Sequence, residues 1–142
     1  MWKSRKKLAS LHLVKSYCLL RLLYGCEGML LNTLQTRELH NTWNYAFRYI
    51  FNCCRRESVK HIQFYCNTVP LSYMIDERKL LFYRKISLSK NVILRTLMCL
   101  LVVSSDYMFL CSKYGVRPIS TRESIKDAVT QVFMASLGAY LF

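Results

Sequence analysis

The sequence predicts an all-α protein of about six helices, and three observations carry that expectation. Apolar residues recur at three- and four-residue spacing along most of the chain, and alternating strand patterns are absent. The places where the spacing breaks hold residues that start or stop helices. At 142 residues and 53% hydrophobic content there is enough apolar material for one packed core. Two prolines and four glycines make no linker, and no repeat or low-complexity tract divides the chain, so residues 1–142 read as a single helical domain.

Each element follows in order. Leu8, Leu11, Val14, Cys18 and Leu22 mark the apolar face of a first helix, and Gly25 stands where its C-cap belongs. Arg21 falls between apolar positions, where a long stem can lie over apolar surface while the guanidinium reaches water or a phosphate. Asn32 with Gln35 three residues on forms a capping-box pattern, and Leu39, Trp43, Ala46, Phe47, Ile50 and Phe51 give the second helix one aromatic-rich face. A short third helix over about Glu57 to Tyr65 would bury Val59, Ile62 and Tyr65. Pro70 suits the first turn of a fourth through Met74, Ile75, Leu81, Phe82 and Ile86, whose polar side would hold Asp76, Glu77, Arg78, Lys79, Arg84 and Lys85. Asn91 caps a fifth helix running through Ile93, Leu94, Leu97, Leu101, Met108 and Phe109 to Gly115. Ser120 and Glu123 have capping-box spacing before a sixth, through Ile125, Val129, Val132, Phe133 and Leu137, that Gly138 closes. The expected core is Leu11, Val14, Leu22, Trp43, Phe47, Ile50, Phe51, Leu81, Phe82, Leu97 and Phe133.

Charge points to a polyanionic partner. Lys and Arg number 21 against 8 Asp and Glu, a formal net charge of +13, and the excess runs through both halves of the chain. The longest apolar run, Leu97 to Val103, is far short of a membrane span, so no transmembrane segment is expected. The basic, acid-free start resembles a mitochondrial transit peptide in composition, with a basic amphipathic first helix as the preferred reading. Seven cysteines, an odd number with no C-x-x-C pair, read as buried free thiols of a protein in the cytoplasm or nucleus.

No catalytic constellation stands out. The carboxylates form no acid/base pair and read as a solvated face, and neither a nucleophile elbow nor a phosphate-cradling glycine loop is present. Cys54, His61 and Cys66 have zinc-like spacing, but Cys53 and Cys54 are adjacent where ligands need separation, so no metal and no cofactor is expected. Basic residues interleaved with aromatics are the strongest signal: Arg48 and Tyr49 beside Arg55, Arg56, Lys60 and Tyr65, then Arg78, Lys79, Tyr83, Arg84 and Lys85. Cations neutralise phosphates and aromatic faces stack on unpaired bases. The alternative assigns the aromatics to the core and the charge to solubility.

The motifs themselves resemble a known family. Ser16-Tyr17-Cys18-Leu19, then Leu22-Leu23-Tyr24-Gly25 and Glu27, is similar to the "SYxLPxLLYGxE" segment downstream of the polymerase palm in reverse transcriptases of non-LTR (LINE-type) retrotransposons. Trp43, Phe47, Arg48, Ile50 and Phe51 resemble the helix that follows, Glu57-Ser58-Val59 its "RWESV" turn, and Ile75-Asp76 with Arg78-Lys79-Leu80-Leu81-Phe82 a later helix. The resemblance covers about residues 8–90 in matching order. Leu20 stands where the family has Pro, and Arg56 where it has Trp. It implies a thumb and post-palm region that would pack against a palm domain and grip RNA or an RNA–DNA duplex without sequence preference. The paired palm aspartates and the endonuclease of this RNA-directed DNA polymerase family are not in the sequence, so no enzymatic activity is expected. The residues expected to meet nucleic acid are Arg21, Arg48, Arg55, Arg56, Lys60, Arg84 and Lys85. A basic amphipathic interaction or membrane-surface protein, or a reading frame with no selected function, are the alternatives.

Overall fold

The computed structural model describes residues 2–117 and 119–138. The protein is all-α, with seven helical rods and no strand among the described residues. Contacts group it into two compact units, Met1–Ser72 and Tyr73–Phe142, each described by itself.

In the first unit α1 (Trp2–Leu13) runs on through a π turn (Val14–Cys18) into α2 (Leu19–Leu22) without leaving helical backbone. The wider turn shifts the buried stripe around the rod. Leu11 is buried ahead of it, Lys15 and Leu19 are half-buried, and Leu23 and Cys26 are buried beyond it. Strict helical spacing would instead bury Cys18, which is exposed, and Val14 and Leu22, which are half-buried. Lys15, turned inward, donates from Nζ to the Cys66 carbonyl at 2.8 Å. Gly25 sits just beyond the rod at φ +75°, where its missing Cβ removes the left-handed penalty.

The capping box of α3 (Thr33–Phe51) forms as its spacing predicts: Asn32 Oδ1 accepts from Gln35 N, and Gln35 Oε1 accepts from Asn32 N. Trp43 and Phe47 are the centre of this unit's core, edge to face at 5.2 Å. Phe51 stacks on Phe47 at 6.3 Å but is only half-buried, with Lys7 rather than an apolar group over its ring, and Ile50 is half-buried as well. α3 ends on Asn52 in the left-handed region. α4 (Lys60–Tyr65) starts later than its spacing predicts: Glu57 is occupied in a turn, its carboxylate accepting from Cys54 N. Val59 is buried, Ile62 is half-buried and Tyr65 is exposed, its place on the inner face taken by Gln63. Gln63 Nε2 donates to Asn44 Oδ1 at 3.0 Å, a buried bond between side chains that fastens α4 to α3.

α5 (Leu71–Ser87) follows the buried Pro70. In the second unit Leu80, Tyr83 and Ile86 of α5 pack with residues of α6 (Val92–Val102), α7 (Ser105–Tyr114) and α8 (Arg122–Gly138). Leu81 and Phe82 are half-buried beside this core. The fifth helix of the sequence reading is two, bent by 76°. Ser104 is the cause: its Oγ accepts from Tyr107 N, which starts a new helix. Beyond the break Tyr107, Leu110 and Tyr114 face inward and Met108 and Phe109 are exposed; on α6 Met98 is buried in place of Leu97, and Ile93 and Leu97 are exposed. α8 is capped by Thr121, whose Oγ1 accepts from Ser124 N, because the Ser120 hydroxyl is taken by Arg117 N. Ile125, Val129, Phe133 and Leu137 are buried as their spacing predicts.

Asp76 departs from a solvated face. Its Oδ2 accepts from Tyr114 Oη at 2.6 Å and from Lys113 Nζ at 2.7 Å, joining α5 to α7. Burial first, then this bond, pushes the Tyr114 hydroxyl well above the usual phenol range and keeps it a donor. Nearby, Tyr107 is pushed up to about 12 by burial and by its bond to Cys111. The cysteines depart as well: of the seven only Cys26 is buried, its Sγ donating to the Leu22 carbonyl, while Cys18, Cys54 and Cys99 are exposed.

Two consequences are measurable. Gln63→Leu strands the buried Asn44 amide and lowers stability by about 1–3 kcal/mol in urea unfolding, whereas adding Asn44→Leu restores much of the loss. Tyr114→Phe removes one bond to a carboxylate and costs about 2 kcal/mol in thermal unfolding, with helicity unchanged by circular dichroism.

Candidate nucleic-acid interface

The outward side of α3 carries a second stripe, opposite Trp43 and Phe47. Asn41, Tyr45, Arg48, Tyr49 and Asn52 recur at three- and four-residue spacing and, with Arg55, line an open groove of about 940 Å³. Tyr45 and Tyr49 are 67% and 80% exposed, so two aromatic faces one helical turn apart are free to stack. Tyr45, Asn41 and Asn52 were not among the residues expected to form the interface. The signal for them was present, since the stripe has the same helical period as the core face.

The groove's cations differ in freedom. Arg48 is half-buried, its Nη2 directed at the Glu57 carbonyl at 3.4 Å and its Nε buried without a partner among the described residues. It holds the 54–57 turn against the end of α3 and contributes charge from a fixed place. Arg55 and Arg56 ride on that turn and are exposed. Lys60, half-buried at the start of α4, and Arg48 both act on His40. Burial first, then these two cations, hold the His40 imidazole below its usual range, so it stays neutral in an already positive neighbourhood.

The other candidates do not line the groove. Arg21 is exposed on α2 and lines a separate shallow recess of about 460 Å³ with Leu20 and Tyr24. Arg84 and Lys85 belong to the second unit. Arg84 Nε donates to the Ser120 carbonyl at 2.9 Å and ties α5 to the segment before α8, while Lys85 is exposed. Among the described residues no three His, Cys, Asp or Glu side chains converge as metal ligands; Cys54 and His61 are exposed and Cys66 is half-buried. No known protein family, no curated protein and no solved structure matches this chain.

His40 makes the first unit sensitive to acid. Its folded pKa is lowered, so the unfolded chain takes up the proton first and stability falls as pH drops through the usual histidine value near 6.5. Urea midpoints measured on either side of that value should therefore decline on acidification, and His40→Gln should flatten the decline.

Proposed function

We propose that this chain is a non-catalytic nucleic-acid-binding polypeptide, similar in its motifs to the thumb and post-palm region of a LINE-type reverse transcriptase, that holds RNA or an RNA–DNA duplex without sequence preference. The observation that carries this reading is the groove on α3, where exposed Tyr45 and Tyr49 stand beside Arg48 and Arg55. Guanidinium groups release counterions from phosphates, and the tyrosine rings stack on bases that are unpaired. The Arg48 to Glu57 hydrogen bond links two of the segments that carry the resemblance, which supports treating them as one surface. The net charge of +13 supports it further. Specificity is low in this reading, because base-edge readout needs side chains fixed by a motif that the sequence does not hold. The chain is assigned no reaction, since the paired carboxylates that clamp polymerase metals are missing from its sequence.

A salt titration tests the proposal. Arg55→Ala with Arg56→Ala should weaken binding alike on all sequences and flatten the plot of log affinity against log salt by about two. Tyr45→Ala with Tyr49→Ala should weaken single-stranded RNA by about 1–3 kcal/mol per lost stack while leaving the salt slope in place. Circular dichroism reports folding in each variant. Absence of binding at low salt, or an arginine variant identical to the wild type, overturns the reading.

A further inference from the structure

The second unit carries a surface that the nucleic-acid reading does not use. On α6, Leu94, Met98 and Leu101 face the core, and the opposite arc is aliphatic where a water-facing helix would be polar: Val92, Ile93, Leu100 and Val103 are all exposed. The exposed Met108 and Phe109 of α7 lie on the other arm of the 76° elbow.

The two hydroxyls along this arc bond within their own helix. Thr96 turns its Oγ1 back to the Val92 carbonyl at 3.0 Å. At the elbow Ser104 Oγ donates to the Leu101 carbonyl at 2.7 Å, its N–H does the same at 2.9 Å, and the Ser104 carbonyl accepts from Met108 N. Asn91 Oδ1 caps Ile93 N at the start of the helix. Hydroxyls turned back on their own helix leave this arc's side chains suited to an apolar medium. No single described helix is long and apolar enough to cross a membrane.

Charge selects the medium. Lys90 and Arg95 are exposed beside the aliphatic arc, and no carboxylate lies between Glu77 and Asp106, the one acid of the elbow, exposed in the first turn of α7. A second copy docking by the same face would bring the same positive flanks. We infer that the α6–α7 elbow lies in the headgroup region of an anionic bilayer, with Val92, Ile93, Leu100 and Val103 in the acyl boundary and Lys90 and Arg95 on the lipid headgroups. This surface shares no residue with the α3 groove.

The test uses the full chain with vesicles of phosphatidylcholine, alone and mixed with phosphatidylserine. Sedimentation should show binding to the mixed vesicles, and a Val103→Trp variant should be quenched by brominated acyl chains beyond the level of the wild type. Ile93→Ser with Leu100→Ser should weaken binding about tenfold or more, the order expected for withdrawing two aliphatic side chains from hydrocarbon. Lys90→Glu with Arg95→Glu should remove the preference for phosphatidylserine. Circular dichroism should stay unchanged in all variants, and Tyr45→Ala with Tyr49→Ala should leave vesicle binding intact, which separates this surface from the nucleic-acid groove. Equal vesicle binding by the Ile93/Leu100 variant, or no added quenching at position 103, overturns the inference. So does self-association in solution that the same variant abolishes while vesicle binding stays as in the wild type.

Discussion

A shortage of carboxylates governs how this protein is held together. With 21 Lys and Arg and only 8 Asp and Glu, most cations cannot find an anionic partner, and several are anchored on backbone carbonyls instead. Lys15 bonds the Cys66 carbonyl, Arg48 reaches that of Glu57 and Arg84 bonds that of Ser120. Each contact joins segments separated in sequence. A carbonyl satisfies a donor without cancelling its charge, so these ties stabilise the fold and leave the positive field in place. Asp76 shows the other side of the scarcity: one carboxylate oxygen serves both Lys113 and the Tyr114 hydroxyl.

The same economy gives α3 its two sides. Trp43 and Phe47 bury the inward stripe, and Asn44 is satisfied by Gln63 rather than by water. That rigid base fixes the outward stripe, so Tyr45 and Tyr49 stand on a packed helix and not on a loop. Rings so held lose little freedom when something stacks on them, which favours binding by preorganisation. Arg48 connects the sides, its stem and Nε inside and its guanidinium holding the turn that displays Arg55 and Arg56.

Much of the fold was legible because its punctuation is local. Asn32 with Gln35, Asn91 and Gly115 act through bonds or backbone angles within a few residues, and the structure has each where the spacing put it, whereas Gly25 takes a left-handed φ two residues past the C-cap, Leu23. What was hidden depends on competition between distant or equivalent partners. Ser104 lies inside the span whose spacing reads as one helix to Gly115, yet its hydroxyl accepts from Tyr107 N and starts a new one. Ser120 had the right spacing for a cap, but Arg117 N occupies its oxygen and Thr121 takes over. Asp76 read as a surface acid because its partners lie on α7, remote in sequence. In the groove, Arg48, Arg55 and Tyr49 were visible as basic and aromatic letters, whereas Tyr45 and the two asparagines needed the outward period to be followed as closely as the inward one.

The π turn at Val14–Cys18 has a genetic reading. A π turn holds one residue more than an α turn, so it is the form in which a helix already packed at both ends takes up a single added codon. Losing that codon would let the rod relax to ordinary winding, at the expense of swinging one packed end by about 100° against the other. The length of this segment is therefore constrained from both sides: Leu11 is buried before the turn, Leu23 and Cys26 after it, and the extra residue between them accommodates both.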